Sequence, residues 1–555
     1  MTAAPNVDGI RLDKRRARAE PAATMRSAVR QPGHRLYLAL LIACTVLLVP
    51  VAIGMQRSGE LGGDGPFYWG VQQALLQHGW FSIPDDIATA VASMERRPNL
   101  DGEGRLIQGL DGARYAVHFW LYPLLSLPFA LLLQLAGVAT THAFPLLNAA
   151  SFGVAIWVLH RSPRLDLTGK CVVLASFATT TINWYVAWSH PEVFTACLLL
   201  MASLMLLERR HFCASLLAAI ASLQNPSAIL LLGAIALVAI ADAIAGARQA
   251  PIARALLQAG LRIGGGAVIA VLPYLYGLTV LGVANPILAN GYVDFSQMTG
   301  RKLLSLIFDW NQGLVIAFPF LLTLLAGVIV LRMRHAGWRG LLRTEDALLL
   351  GMLAMALPVL TQVNFNAGQY YASRYLAWLV APGIIWAGLQ VQGPYARGGL
   401  WAWFIGFGFY AANFGLFLAQ KLHYVLTVMR AGGLPYEDQL VMKPIAALLL
   451  AAMPAAYDPW PEIFIERTLY RELTVEEIRG SRIEAVGYPA GEGRFTKVIT
   501  RQPELSFVAA RLCPGGEAVA ESSPGAPRFS AAGPGYFYLD GALRCRPLQP
   551  PRQPR

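Results

Sequence analysis

Apolar residues in this chain run on continuously for stretches of 15–20, broken by clusters of Arg, Gly and Pro rather than by a regular polar face. Runs of that length predict membrane-spanning helices, because a bilayer core of about 30 Å takes roughly 20 apolar residues. They fall near 36–54, 143–160, 171–188, 192–207, 212–224, 227–243, 263–283, 313–331, 346–361, 375–391 and 400–420. The run at 118–137 is also long enough to cross, but it carries Pro123 and Pro128, and counting it would reverse the sidedness of every later connection. It is therefore expected to be a re-entrant or interfacial helix, its backbone covered by protein or water. The pattern predicts an all-α polytopic membrane protein of about 11 transmembrane helices.

Charge orients the bundle. Basic residues gather in residues 1–35, in 161–170 (Arg161, Arg164, Lys170), in Glu208-Arg209-Arg210-His211, in 244–262 and in 332–345. Placing these on the cytoplasmic side satisfies the positive-inside rule at every step. Residues 1–35 then read as a disordered basic cytoplasmic tail and 36–420 as the membrane domain. Residues 421–455 connect it to 456–555, which face outside with the long first loop, 55–142. The stretch 456–555 is charged, rich in Pro and Gly, and carries short alternating runs such as Gly535-Tyr536-Phe537-Tyr538-Leu539, the pattern of a small, mostly β domain. Cys513 and Cys545 lie there, and an oxidising compartment would let them pair. Two free thiols in a cytosolic tail are the alternative. The remaining four cysteines sit within or at the edges of spans and read as packing residues.

Composition agrees. Of 555 residues, 55% are hydrophobic and 14% charged, against roughly a quarter charged in soluble domains. That excludes an ordinary soluble enzyme, a disordered scaffold and, despite a net charge of +12, a nucleic-acid binder.

The first outside loop holds most of the candidate chemistry. It contains Glu60, Asp64, Asp85, Asp86, Glu95, Asp101, Glu103 and Asp111. Pro66 suits the start of a helix that ends at Gly79. Asp64 then lies just ahead of it, either as a capping residue in a glycine-rich turn or as a working carboxylate.

Four motifs bear on that choice. Asp64-x-x-x-Tyr68 is followed by a helix ending Leu75-Leu76-Gln77-His78-Gly79. Asp111-Gly112-Ala113-Arg114-Tyr115-Ala116-Val117-His118 runs into Tyr122-Pro123. Asp309-Trp310-Asn311-Gln312-Gly313-Leu314 precedes Pro319, and Gly368, Ser373-Arg374-Tyr375-Leu376 and Pro382 follow in turn. In this order, over about 320 residues, they resemble the GT-C superfamily of integral-membrane glycosyltransferases, which includes the protein O-mannosyltransferases and the lipid A aminoarabinose transferases. The chain departs from several branches by having Gly63-Asp64-Gly65 where they carry adjacent acidic residues.

The resemblance implies a glycosyltransferase, and the Ala/Arg-rich usage with the cysteine pair points to a bacterial, Gram-negative inner membrane. Such an enzyme would move a sugar, with inversion, from a polyprenyl-phosphate donor to a lipid, glycan or protein acceptor of the cell envelope at the periplasmic face. Asp64 would be the general base, with Glu60 and Asp111 as auxiliary acids. The donor phosphate would meet Arg374, Arg114, His118 or Arg301, and His190, Glu192, Asp309, Tyr68 and Tyr375 would lie near the acceptor. Lys302 reads as an anchor to lipid headgroups and Asp242 as a solvated helix end. No cofactor is required by these residues, although carboxylates with water could hold a divalent cation. The competing readings are a polytopic transporter, a lipid-linked glycan ligase or polymerase, and a non-catalytic envelope assembly protein. Against a transporter, the chain has no duplicated half and few ionisable residues in mid-span. Against a ligase or polymerase, the large outside loop comes early. An assembly protein would tolerate loss of Asp64.

Overall fold

The computed structural model describes residues 61, 63–94, 106–178, 182–186, 188–246, 251–336, 343–365, 373–392, 396–431, 440–473, 477, 483–521, 527–533 and 535–547. The expected tail, the span at 36–54, Cys44 and Glu60 lie outside these residues.

Helix Glu192–Leu207 is the axis of the bundle. It has no Gly or Pro inside, begins after Pro191, and every residue from Glu192 to Leu206 is buried. Helices Ala143–Arg161, His211–Gln224, Arg374–Leu379 and Ala381–Gln390 pack around it. Small residues allow close approach elsewhere in the bundle: a Cβ on Gly169 would lie 2.7 Å from the Gly388 carbonyl oxygen, and one on Gly388 would lie 3.1 Å from that of Gly169. Without a hydrophobic drive between helices in lipid, such backbone contact supplies the packing energy. The outer ring instead exposes Leu256, Leu257, Leu261, Val268, Leu272 and Leu275 on helix Ile252–Tyr276, an apolar surface suited to lipid rather than water.

Among the described residues, four helices are long and apolar enough to cross a membrane: Thr140–Arg161, Pro226–Ala245, Ile252–Leu281 and Ala396–Ala419. Several other runs form helices that are shorter or broken. Within the run at 171–188, the described residues form helices Leu167–Ala178 and Ile182–Tyr185. The run at 375–391 becomes Arg374–Leu379 and Ala381–Gln390, divided just ahead of Pro382, which has no backbone N–H to give to a continuous helix. The run at 400–420 lies inside a longer helix, Ala396–Ala431. The segment at 118–137 forms Leu121–Leu135 with Pro128 inside. Its 15 residues rise about 22 Å, short of a bilayer core.

The first outside loop folds on itself. Helices Gly65–His78 and Asp85–Met94 pack with the hairpin β1 (Leu106–Gln108) and β2 (Arg114–Ala116) around Phe67, Val71, Ile83, Ile87 and Val91. At the other end of the chain, an antiparallel sheet is centred on β4 (Arg494–Thr500). Strand β3 (Ala485–Pro489) pairs along one edge of β4, while β7 (Tyr536–Leu539) and β8 (Leu543–Pro547) pair along the other. Strand β6 (Phe529–Gly533) extends β7, and β5 (Gly516–Ala520) extends β8. Phe464, Ile465 and Tyr538 beneath this sheet pack against Met442, Ala446 and Leu450, so helix Pro444–Ala452 joins sheet to bundle.

Cys513 and Cys545 form a disulfide that closes a loop of 32 residues in sequence. Chain entropy assigns such a loop about 3–4 kcal/mol. Replacing both cysteines by Ala is expected to reduce amide-exchange protection of β5 and β8 in the full-length protein by two orders of magnitude or more, leaving helix Glu192–Leu207 unchanged.

Candidate active site

Helix Gly65–His78 starts immediately after Asp64 and stops at Gly79, which is left-handed at φ 69°. Asp64 accepts the first helical bonds through its backbone oxygen, from the N–H groups of Phe67 (3.1 Å) and Tyr68 (3.3 Å). Its side chain makes no capping bond. The carboxylate turns instead into a cavity, where the Arg374 Nη1 donates to Oδ2 at 3.0 Å and His118 Nε2 lies 3.5 Å from Oδ1. The Gly63-Asp64-Gly65 turn makes this orientation attainable. Gly63 has φ +59°, and a Cβ there would lie 2.8 Å from His190 Nε2; one on Gly65 would lie 3.2 Å from the Ser189 Cβ. A side chain at position 63 would therefore require the His190 ring to shift as well as a strained left-handed backbone. Gly63→Ala is expected to displace His190 and to cost about 1–2 kcal/mol of stability from the left-handed residue, which the unfolding temperature of the variant would report.

Arg374, at the head of helix Arg374–Leu379, bridges two carboxylates. Its Nε lies 3.5 Å from Glu192 Oε1 and its Nη1 3.2 Å from His190 Nδ1. His190 Nδ1 is also 3.9 Å from Asp64 Oδ2 and 3.8 Å from Glu192 Oε2. The Tyr68 ring packs between His118 (5.3 Å), Tyr122 (5.7 Å) and His190 (6.1 Å), and the Arg374 guanidinium lies 5.6 Å from the Tyr375 ring. His118 Nε2 and Glu192 Oε2 are shielded from water and have no hydrogen-bond partner among the described residues.

Burial opposes the charge on Asp64, yet His118, Arg374 and His190 together outweigh it and hold the carboxyl well below the usual carboxylate range. The stability Asp64 contributes is therefore complete above its unfolded value near pH 4, and is lost only as pH falls through the depressed folded value. Burial, then the charges of Asp64 and Glu192, push the Tyr68 hydroxyl well above its ordinary range, so this phenol stays protonated.

Asp64, Tyr68, His118, His190, Glu192, Arg374 and Tyr375, distant in sequence, line one cavity of about 520 Å³. The lining also includes the apolar side chains of Leu288, Phe295 and Leu357, which are well exposed. Gln224, Asn225, Asn285, Gln362, Asn364 and Glu472 add further polar and charged lining. Asp64 and Glu192 sit on either side of the Arg374 guanidinium rather than converging on one point. Among the described residues, no group of three or more His, Cys, Asp or Glu side chains is disposed to hold a metal ion.

The other sequence candidates lie elsewhere. Asp111 shapes the β1–β2 turn, accepting from the Ala113 N–H (3.0 Å) and the Tyr115 hydroxyl (2.7 Å). Arg114 pairs with exposed Asp85 at 3.2 Å. Arg301 donates to the Ala531 carbonyl and lies 4.0 Å from Asp458, against the C-terminal sheet. Asp309 is buried among the Asn311 N–H (2.7 Å), the Gln312 N–H (3.2 Å) and the Tyr457 hydroxyl (3.1 Å), and burial raises its carboxyl to about 6. It ties the entry of the following helix to the C-terminal segment.

Two readings need correction. Lys302 is no headgroup anchor: it is fully buried, donating to the Gln362 carbonyl at 2.6 Å above the Phe365 and Trp460 rings. Burial lowers its amine to about 8, with Glu462 and Asp294 opposing. A sequence shows the span beside Lys302 but not the C-terminal segment folding over it. Asp242 is not simply solvated either; it pairs with Arg209 and, at 3.0 Å, with His211.

Asn148 was missed. Its amide donates to the carbonyls of Trp188 (2.9 Å) and His190 (3.3 Å), and its oxygen accepts from the Tyr122 hydroxyl (3.1 Å). It thereby holds the turn that carries His190. The available signal was an amide inside an otherwise apolar span.

The chain is similar in structure to the archaeal oligosaccharyltransferase AglB from Archaeoglobus fulgidus in complex with an inhibitory peptide and a dolichol-phosphate. The likeness has 12% identity, 79% of this chain, 60% of that one and a TM-score of 0.38. It is also similar to ArnT from Cupriavidus metallidurans in the apo state, at 17% identity over 82% of this chain and 74% of that one, TM-score 0.38. The chain spans 60% of the length of the oligosaccharyltransferase. No family model and no curated protein matches it. Likenesses at this identity and TM-score carry no argument about function, which rests on the geometry of the site.

Proposed function

We propose that the protein is an inverting membrane glycosyltransferase that moves a sugar from a polyprenyl-phosphate donor to an envelope acceptor on the outer side of a bacterial inner membrane. The observation that carries this reading is the cavity itself. A buried, ionised carboxylate and a fixed guanidinium face a space whose lining also includes the well-exposed apolar side chains of Leu288, Phe295 and Leu357. A donor whose prenyl chain stays in the bilayer needs a site open sideways to lipid, with charge only at the reacting end.

In this reading Asp64 takes the proton of the acceptor hydroxyl as that oxygen bonds to the anomeric carbon. The bond from that carbon to the phosphate oxygen breaks through an oxocarbenium-like state, and its electron pair leaves with the polyprenyl phosphate. Arg374 has two tasks. It keeps Asp64 ionised, and its remaining N–H groups meet the departing phosphate, for which a planar guanidinium is suited. His118 and His190 add donors at the same end, while Glu192 and Tyr375 orient Arg374.

Mass spectrometry of envelope glycolipids and glycans tests the reading. A strain lacking the protein should lose one sugar mass that returns with the native chain, and membranes carrying it should release polyprenyl phosphate from the donor only when acceptor is present. An unchanged glycan profile together with no phosphate release would defeat the proposal.

A further inference from the structure

We propose a second, non-catalytic site at the opposite end of the bundle: a pocket for the phosphate of an anionic phospholipid headgroup. A cavity of about 590 Å³ lies among Arg164, Arg209 and Arg343. These arginines come from three separate connections, between helices Ala143–Arg161 and Leu167–Ala178, after Glu192–Leu207, and before Ala347–Leu360. Helix Glu192–Leu207 begins at the first cavity with Glu192 and reaches the second with Leu206 and Leu207, an axial separation of about 24 Å. The second cavity thus lies on the face that the basic connections assign to the cytoplasm, where anionic lipids attract clustered Lys and Arg.

The lining suits an amphipathic ligand. Leu206, Leu207, Val238 and Leu389 supply apolar walls, and Leu237, next to Val238, is exposed on the outer surface of its helix. Of the three arginines, Arg209 also pairs with Asp242 and Arg343 with Glu345, so the ligand phosphate would share them with these carboxylates. Asp166 accepts from the Gly169 N–H at 2.8 Å, and Glu345 lies 3.8 Å from both Arg332 and Arg343. The connection bearing Arg164 is held in place by Gln392, whose amide donates to the Arg164 carbonyl and whose oxygen accepts from the Asp166 N–H, each at 2.8 Å. An exposed arginine on a clamped loop beside an apolar wall presents charge at the depth of a headgroup. The phosphate diester is the recognised chemistry, and the bilayer is its source.

Native mass spectrometry of the full-length protein in detergent, with phosphatidylglycerol, phosphatidylcholine or inorganic phosphate added, tests the proposal. Phosphatidylglycerol should bind at least tenfold more tightly than phosphatidylcholine. The pair Arg164→Gln with Arg343→Gln should lose that preference, and Asp64→Asn should retain it. Arg164→Gln alone, on an exposed loop, should weaken binding severalfold with no change in unfolding temperature. Equal binding of the two lipids, or undiminished preference in a folded double variant, would overturn the site. Displacement of phosphatidylglycerol by millimolar inorganic phosphate would overturn the bilayer as its source. None of these outcomes depends on the transferase reading, because none measures transfer.

Discussion

Asp64→Asn is expected to lower sugar transfer by about 10²–10⁴-fold, the usual contribution of a positioned general base, with the protein still folded. Asn keeps the shape of the side chain and the bond from Arg374, but it cannot accept the proton of the acceptor hydroxyl. Glu192 still compensates Arg374 at 3.5 Å, so no buried charge is left without a counter-charge. The measurement is the initial rate of polyprenyl-phosphate release in membranes at matched protein levels, with unfolding temperature as the control. A variant that transfers sugar at the wild-type rate would reduce Asp64 to a turn residue. The carboxylate's missing cap bond argues against that outcome: a structural Asp at this position would bond the helix N-terminus, and this one faces Arg374 instead.

Arg374→Gln is expected to act on three readouts at once. The KM for the donor should rise at least tenfold, because the departing phosphate loses its charged partner. Asp64, relieved of one of the groups that hold its carboxyl low, should titrate at higher pH. In the wild type, any acid limb of kcat/KM that reports Asp64 lies below the ordinary aspartate value near pH 4; in the variant that limb should move upward. Stability should also fall, by up to about 3–5 kcal/mol, because removing one member of a buried ion pair leaves the other charge uncompensated. Here two carboxylates, Asp64 and Glu192, lose the guanidinium between them. Arg374→Lys should restore part of the stability but little of the donor affinity, since an ammonium cannot reproduce the planar fork. A donor KM and a pH profile that both stay put would separate Arg374 from the chemistry and leave it a purely structural ion.

How far these residues were legible in advance depended on the range of the interaction that places them. The long apolar runs announced a helical membrane protein, because burying a backbone in lipid requires its hydrogen bonds to close within each segment. That is a local rule, and a sequence displays it. The helix from Gly65 to His78, with Pro66 near its start and left-handed Gly79 at its end, is likewise local. So is the alternation that builds β7. Asp64, His118, His190, Glu192 and Arg374 were each visible as polar residues at the mouths of apolar segments.

Their meeting in one cavity was decided by the tertiary structure. Arg374 lies 310 positions from Asp64, and only the packing of helices around Glu192–Leu207 brings them together. The same folding separated Arg114, Arg301 and Asp309 from the cavity, though each stood in an equally suggestive motif. It also buried Lys302 beneath Trp460, a residue more than 150 positions later that no local pattern connects to it. Charge and hydropathy determine which residues sit at the membrane boundary. Which of those share a site is set by side-chain packing between distant segments, a short-ranged force whose partners are known only once the chain has closed on itself.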